Sequence, residues 1–291
     1  MLKSFPATSL ERKRMIWLEY AIFQRALTGC IITGLLTGLI GVFVVRMRLS
    51  TIGYSISHGA FAGAALGVAT STDPLLTAMV FSAMTALFIG PVADKARLPI
   101  DMITSIAFSL NMALAFIFLT LSPQVGLSSE VAGVIWGSII SVTNKDLVFL
   151  TALCSVTLAL IYLFWKELFA IMFNRKMAEA DGINTKPFIY FMIFLAGIVV
   201  AFSLKLVGGI LVYALLFNPA SSALQYLHDI KKIIVLSPII GVASCITGFF
   251  ISLIFDVPVG ASIALISTLI FAFSVLFSPK RKRREVKSDE N

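Results

Sequence analysis

Long apolar runs constrain this chain more than any other feature of its sequence. A helix needs about 20 mainly apolar residues to cross the hydrocarbon core of a bilayer. Runs of about that length cover residues 20–45, 52–71, 74–93, 100–121, 146–165, 187–204, 207–224, 233–254 and 258–277. Hydrophobic residues make up 58% of the 291 and charged residues only 13%. We therefore predict an all-α, polytopic membrane bundle of about nine transmembrane helices, with counts of eight or ten left open.

Basic residues follow alternate apolar runs and so predict the orientation of the bundle. They are Arg46, Arg48, Lys95, Arg97, Lys166, Arg175, Lys176, Lys186, Lys231, Lys232 and the residues 280–284. With nine spans they all lie on one side, which the positive-inside rule makes the cytoplasmic side. The C-terminus is then inside and the N-terminus outside. The net charge of +8 reflects this topology, not binding to nucleic acid.

The apolar region, residues 20–278, is flanked by polar ends and interrupted by one unusual loop. Residues 1–19 are predicted to be a polar, interfacial segment or an extra partial span, and residues 279–291 a basic, disordered cytoplasmic tail. Within the inside loop, residues 166–184 place Leu168, Ile171, Met172 and Met177 among charged residues, and Gly182 ends this pattern, which predicts a short amphipathic helix. That helix either rests on lipid headgroups or forms a docking surface for a cytoplasmic partner.

Glycines recur at every fourth position in two of the runs. Gly34 and Gly38 lie in the first run, and Gly59, Gly63 and Gly67 in the second. Small residues four apart let helix backbones approach closely in a membrane. We therefore predict that both helices are buried among others.

Polar side chains inside the runs are few, and three of them are candidates for a substrate path. Tyr54 and His58 are four residues apart and share one helical face. Asn218 precedes Pro219, which is predicted to break the seventh span. His58 is either hydrogen-bonded to a neighbouring helix or a ligand for a divalent metal, which imidazole suits. For Asn218 the two interpretations are interhelical hydrogen bonding and a position in the lining.

Other classes of function find little support in the sequence. Carboxylates are almost absent from the runs, which disfavours a proton-coupled pump. The sequence has no Gly-Lys dipeptide and therefore no phosphate-binding P-loop, so any ATP must bind another chain. An intramembrane hydrolase is a remote alternative, because the adjacent Ser57 and His58 point about 100° apart on a helix and are predicted not to pair. We expect the chain not to be an enzyme.

Six motifs, in order, resemble the permease subunits of bacterial zinc/manganese/iron ABC transporters. They are RALTGCIITGLLTGLIGVFVVRMRLS, GYSISHGAFAGAALG, VIWGSIISVTNKDL, FNRKMAEADGI, LVGGILVYALLFNPASSALQ and FDVPVGASIAL. Each motif alone is weak, but their order and spacing from about residue 20 to 278 make the resemblance strong.

The resemblance implies a fold similar to the permeases for siderophores and vitamin B12, with two copies of the chain forming the pathway. Cytoplasmic ATPase subunits would dock on residues 166–184, and an extracytoplasmic metal-binding protein would deliver zinc, manganese or iron. No cofactor would be bound permanently. His58, Tyr54 and Asn218 would be transient metal ligands. The docking residues that match the family motif are Phe173, Asn174, Ala178, Glu179, Asp181 and Gly182.

The chain departs from the family pattern at two positions. Tyr54 occupies the place of a usual Asp four residues before the histidine, and a phenol with a pKa near 10 is a poor ligand at neutral pH. That departure keeps a second hypothesis open, in which the same fold imports a metal chelate or another small solute. Asn174 stands where the loop usually has Asp, which alters its charge or capping without abolishing docking.

Overall fold

The structure is a computed structural model that describes residues 9–121, 137, 142–208 and 212–279. In those ranges the regular structure is all helical. The helices are α1 (Ser9–Arg46), α2 (Ser50–Ala69), α3 (Pro74–Ala96), α4 (Ile100–Leu121), α5 (Asn144–Leu163), α6 (Trp165–Phe173), α7 (Arg175–Ala180), α8 (Thr185–Val207), α9 (Val212–Tyr226), α10 (Ile230–Phe255) and α11 (Val259–Leu276).

Each of the nine predicted spans contains a helix, so the all-α membrane bundle is confirmed. Seven helices of the described chain are long and apolar enough to cross a membrane. The other two are α2, which is rich in glycine and serine, and α9, which has 15 residues. These two make contacts on several sides, which suits helices that are enclosed by others.

The helices divide into an inner and an outer set. The spanning part of α1 is 72% buried and that of α8 61%, whereas those of α4, α5 and α11 are 17–28% buried. Helix α1 packs on α8, α9 and α10, and α2 packs on α3, α4 and α8. Large apolar side chains are exposed on the outer helices, among them Leu110, Phe149 and Leu265. Such a surface suits lipid rather than water.

Polar contacts join helix ends that the charge pattern assigned to the cytoplasmic side. Lys186 Nζ at the start of α8 lies 2.8 Å from Asp94 Oδ2 near the end of α3. Thr51 Oγ1 at the start of α2 donates to Asp101 Oδ1 at the start of α4, at 2.6 Å. Ser278, just after α11, donates to the carbonyl of Gln225 near the end of α9. The structure thus places these ends together.

Three local features differ from the sequence-based predictions or refine them. Helix α1 starts at Ser9 and runs without a break into its apolar part. The predicted break at Pro219 is wrong, because α9 continues through it. Pro219 is buried among other helices, and membrane helices tolerate proline where neighbouring helices enclose it. The amphipathic segment forms two helices, α6 and α7, not one.

Residues 1–8 and 280–291, most of the 122–141 loop and residues 209–211 lie outside the described residues. The predicted tail and parts of two family motifs therefore have no structural counterpart here.

Candidate functional site

His58 lies in the interior of the bundle with only 5% of its surface exposed. Its Nδ1 lies 3.0 Å from the Tyr54 carbonyl oxygen, one turn earlier in α2. A carbonyl can only accept, so this contact assigns the proton to Nδ1 in the neutral ring and leaves the lone pair on Nε2. A ring nitrogen fixed in this way presents the other nitrogen as a metal ligand.

The prediction that the side chains of Ser57 and His58 point too far apart to meet is wrong. Ser57 Oγ lies 3.3 Å from His58 Nδ1. Side chains on a helix lean toward its N-terminus, and both of these converge on one acceptor, since Ser57 Oγ also donates to the Tyr54 carbonyl at 2.9 Å. Because Nδ1 already donates to that carbonyl, it has no lone pair to take a proton from Ser57. The arrangement therefore disfavours a serine nucleophile.

Two aromatic rings contact His58, and a third ring packs against the first of them. The rings of Tyr54 and Phe108 lie 4.6 Å and 4.7 Å from the imidazole, centroid to centroid. Tyr54 stacks on Phe108 at 4.6 Å and meets the edge of Tyr213 at 5.0 Å. Phe108 comes from α4 and Tyr213 from α9, so the cluster joins three helices at the level of the histidine.

A cavity of about 220 Å³ lies on the other side of these rings. Its lining comprises Thr51, Tyr54, Thr104, Ser105, Phe108 and Tyr213. Five of the six carry a hydroxyl group, although Thr104 and Ser105 donate theirs to carbonyls within α4. Asp101 lies beside the cavity and accepts from Thr51. These hydroxyl groups supply the polar part of a lining that is otherwise mostly apolar, and the rings of Tyr54 and Phe108 form the boundary between the cavity and His58.

Asn111 holds α2 and α4 together beside the histidine. Its Nδ2 donates to the Ser55 carbonyl at 3.2 Å and to Thr85 Oγ1 of α3 at 3.3 Å. Both bonds cross between helices, and the side chain is 5% exposed. Asn111 thus acts as an interhelical tie.

Asn218 lies on a different side of α9 from the aromatic cluster. Its Nδ2 donates to Ser267 Oγ at 3.1 Å and Thr268 Oγ1 at 2.9 Å, both on α11. Tyr213 is five residues earlier and so points about 140° away around the helix axis. The structure brings Tyr54 and His58 together and places Asn218 in a separate contact with α11.

Within the described ranges, no group of three or more His, Cys, Asp or Glu side chains is placed to hold a metal ion. The second histidine, His228, is exposed in the turn before α10. The site therefore consists of one imidazole, aromatic rings and hydroxyl oxygens, with the Asp101 carboxylate beside them. It suits brief contact with a passing ion better than tight storage, which needs a full ligand set.

Close contacts at glycines hold together the helices that surround the site. A Cβ built on Gly34 would lie 2.7 Å from the Gly241 carbonyl carbon of α10, and one on Gly38 would lie 2.8 Å from Pro238 Cα. On α2, a Cβ at Gly59 would meet Thr85 at 2.5 Å, and one at Gly67 would meet Pro74 Cα at 2.6 Å. At Gly34, Gly38 and Gly67 the neighbouring backbone approaches too closely for a larger residue, whereas at Gly59 the close neighbour is the Thr85 side chain.

The segment 166–184 contains the short helices α6 and α7, which together form an exposed helical joint between α5 and α8 at the end of the bundle. Leu168, Ile171 and Met172 of α6 are buried against the bundle, whereas Phe173 is 67% exposed. Asn174 ends α6 and caps α7, with its Oδ1 accepting from Lys176 N at 3.0 Å and Met177 N at 3.3 Å.

Helix α7 ends at a tight turn. The Ile183 N–H donates to the Ala178 carbonyl, and the Gly182 N–H donates to the Glu179 carbonyl. This pair of bonds is a Schellman motif, which needs the positive φ of +84° that Gly182 adopts. The turn leads directly into α8, so α7 is attached rigidly to an inner helix.

Glu179 ties α7 to the start of α8. Its Oε1 accepts from Thr185 Oγ1 at 2.6 Å and from Arg175 Nε at 2.9 Å. The hydrogen bond from Thr185 first, and that from Arg175 second, hold the pKa of Glu179 below its ordinary value. The carboxylate is therefore ionised at neutral pH, and the tie persists there.

An all-helical membrane bundle with a buried imidazole and an exposed helical joint is the architecture of a transport permease. A family model described as the ABC 3 transport family matches residues 19–278, and the chain belongs to that family. The predicted class, the membrane subunit of an ABC transporter, is confirmed.

Individual relatives cover almost the whole chain. The manganese transport system membrane protein MntC of Listeria monocytogenes is 32% identical over 274 residues, which cover 92% of this chain and 97% of that protein. The high-affinity zinc uptake system membrane protein ZnuB of Haemophilus influenzae is 25% identical over 262 residues, which cover 90% and 98%. The structure of PsaBC from Streptococcus pneumoniae in complex with Fab matches with a TM-score of 0.80 at 28% identity, covering 91% of this chain and 95% of that one.

Sequence reasoning missed Phe108, Tyr213 and Asp101 at the site. Phe108 and Tyr213 are two aromatic residues among many in apolar runs, and nothing local distinguishes them. Asp101 carried a signal, because it is a carboxylate in the first turn of a spanning helix.

Proposed function

We propose that this chain imports a divalent metal ion across the cytoplasmic membrane by alternating access, with manganese the first candidate cargo and zinc or iron next. The names of its relatives support a metal cargo, since one is a manganese and another a zinc transport protein. The observation that carries the proposal is the fixed tautomer of His58, which presents Nε2 as a ligand inside the bundle.

Passage through the site would occur in two steps. His58 Nε2 would bind the ion transiently, and the rings of Tyr54 and Phe108 would then move to admit it to the hydroxyl-lined cavity beside Asp101. Tyr54 contributes its ring to the lining. Asn218 would line the side toward α11 through its Oδ1, because Ser267 and Thr268 occupy its Nδ2.

Four partners complete the proposed transporter. A second copy of the chain would form the pathway with the first, and lipid would surround both. Separate ATPase subunits would dock on segment 166–184, where Phe173 and Met177 expose apolar side chains among charged ones. An extracytoplasmic protein would deliver the ion to the face opposite this segment. The N-terminus would then lie outside and the C-terminus inside.

Reconstitution tests the proposed cargo. The chain, its ATPase and its binding protein would be placed in proteoliposomes, and ATPase stimulation and uptake would be measured with manganese, zinc and iron, each on the loaded binding protein. The metal-free binding protein is the control. We expect manganese to give the largest stimulation. The absence of stimulation by all three ions would reject the proposal.

A metal chelate is the second candidate cargo. The observation in its favour is that the described residues hold no cluster of three metal-ligating side chains, and that Tyr54 stands where the family usually has a carboxylate. Titration of the cognate binding protein separates the two, because high-affinity binding of the bare ion would contradict a chelate cargo.

A further inference from the structure

An apolar cleft of about 350 Å³ opens between α3 and α4, on the opposite side of α4 from the hydroxyl-lined cavity. Its walls include Met84, Phe88 and Val92 of α3, and Ile106, Leu110 and Leu114 of α4. Phe88 and Leu110 are 59% and 58% exposed, so nothing in the described chain covers them. Both walls belong to membrane-spanning helices, so an apolar ligand must enter from the bilayer.

The cleft is as deep as one leaflet. Its lining runs from Phe81 to Val92 on α3 and from Ile103 to Leu114 on α4. Eleven residues of helix rise about 16 Å. The hydrocarbon core is about 30 Å thick, so one leaflet occupies about half of it. The cleft ends one helical turn before the end of α3, where the basic residues that follow this helix place the expected headgroup region.

Two basic residues stand at the headgroup end. Lys95 lies three residues after Val92 and seven after Phe88, so it continues the row of α3 side chains that line the cleft. Arg97 caps α3 in the left-handed conformation, with φ of 54°. Both side chains are exposed, and neither forms an ion pair within the described ranges.

The nearby carboxylates have other partners. Asp94 accepts from Lys186 at 2.8 Å and Tyr190 at 2.9 Å, and Asp101 accepts from Thr51. Asp94 is thus neutralised by Lys186, whereas Asp101 keeps its charge because its partner is a neutral hydroxyl. Lys95 and Arg97 together outnumber this one carboxylate, so the headgroup end of the cleft keeps a net positive charge.

The amide nitrogen in the floor of the cleft is already hydrogen-bonded within the protein. Asn111 Nδ2 donates to the Ser55 carbonyl and to Thr85 Oγ1. A polar ligand would gain little there, whereas a hydrocarbon chain needs no partner for hydrogen bonds.

We propose that the cleft between α3 and α4 binds an acyl chain of an anionic phospholipid of the cytoplasmic leaflet, with the lipid phosphate on Lys95 and Arg97. The leaflet follows from the proposed orientation, and the rest is independent of the transported ion. A juxtamembrane Lys or Arg attracts anionic lipid and extends its stem along apolar surface. Because Asn111 joins the floor to α2, the lipid would also brace the wall of the histidine site.

Native mass spectrometry of the purified full-length chain tests this proposal. The delipidated protein would be titrated with phosphatidylglycerol and with phosphatidylcholine of the same acyl chains. We expect one phosphatidylglycerol per chain to bind more tightly than phosphatidylcholine. The double variant Lys95→Ala/Arg97→Ala should lose roughly tenfold in affinity for phosphatidylglycerol. The matched control, Lys231→Ala/Lys232→Ala, removes two exposed lysines from the same side of the bundle and should retain it.

A second variant tests the cleft itself. Leu110→Trp fills the cleft at an exposed position and should abolish phosphatidylglycerol binding, whereas Leu158→Trp on exposed α5 should not. Equal binding of the two lipids would overturn the proposal. So would phosphatidylglycerol binding that is unchanged in both Lys95→Ala/Arg97→Ala and Leu110→Trp. So would a protein dimer that retains no lipid and dissociates with Leu110→Trp, because a second copy would then occupy the cleft.

Discussion

The two sides of α2 are packed by opposite means. On one side, Gly63 and Gly67 bring the backbone against α3, where a Cβ at Gly67 would lie 2.6 Å from Pro74 Cα. On the other, Tyr54 and His58 meet α4 and α9 through ring contacts of 4.6–5.0 Å, beside a cavity of about 220 Å³. The first contact is between backbones and the second between side chains.

This difference indicates which side can change during transport. Backbones in close contact cannot slide without a clash, whereas aromatic rings beside a cavity can change rotamer at small cost. We therefore expect α2 and α3 to move as one unit and the aromatic side to open and close.

Gly63→Leu should have the largest effect, on folding or assembly. A Cβ at this position would clash with the Thr77 carbonyl and lie 2.7 Å from Phe81 Cβ, and a backbone carbonyl cannot move aside as a side chain can. The expected destabilisation exceeds about 3 kcal/mol. Size-exclusion chromatography of the detergent-solubilised protein shows whether the variant still folds and assembles or instead aggregates. Ala113→Leu, at an exposed position of α4, is the control. A folded Gly63→Leu variant would show that α2 and α3 are not fixed together.

His58→Ala should leave assembly intact and lower transport by about tenfold or more, because it removes the imidazole from the pathway. Uptake by the reconstituted complex, together with the chromatographic profile, separates the two effects. His228→Ala, which removes the exposed second histidine, should behave like the wild type. If His58→Ala misfolds as Gly63→Leu does, both sides of α2 are structural.

The sequence predicted one side of α2 better than the other, for a physical reason. The glycine repeat is a property of one helix, so the close packing of Gly59, Gly63 and Gly67 could be anticipated from their spacing. The rings that pack against Tyr54 and His58 from outside α2 come from α4 and α9, and the spacing within α2 cannot indicate what lies opposite. The predicted break at Pro219 was wrong for the same reason, because whether a helix can continue through a proline depends on the helices around it.

Glu179→Gln should have a smaller effect. It should impair the movement of the side of α2 that carries Tyr54 and His58, without changing the structure of that side. The change weakens the tie between α7 and α8, and we expect metal-stimulated ATPase activity to fall by about threefold with basal activity retained. Glu167→Gln on α6 is the control. An equal loss in both variants would show that the effect comes from removing a negative charge in this segment and not from breaking the contact between α7 and α8.

The pH dependence of this tie has a definite sign. The pKa of Glu179 is lowered in the folded protein, so its contribution is complete above the ordinary glutamate pKa and is lost as the pH falls through the folded value. Stimulation should therefore show no titration of Glu179 between about pH 6 and 8. A step in that interval that disappears with Glu179→Gln would contradict the assignment.

Tyr54→Phe should have the smallest effect and decides what the tyrosine contributes. The variant keeps the ring contacts with His58, Phe108 and Tyr213 and removes only the hydroxyl. If the ring is the contribution, uptake should stay within about twofold of the wild type, because a phenol is a poor metal ligand at neutral pH. A loss as large as that of His58→Ala would instead make the phenol oxygen a ligand. Tyr54→Asp then provides the matched comparison, since it restores the carboxylate usual in the family and should shift the relative uptake of manganese and zinc.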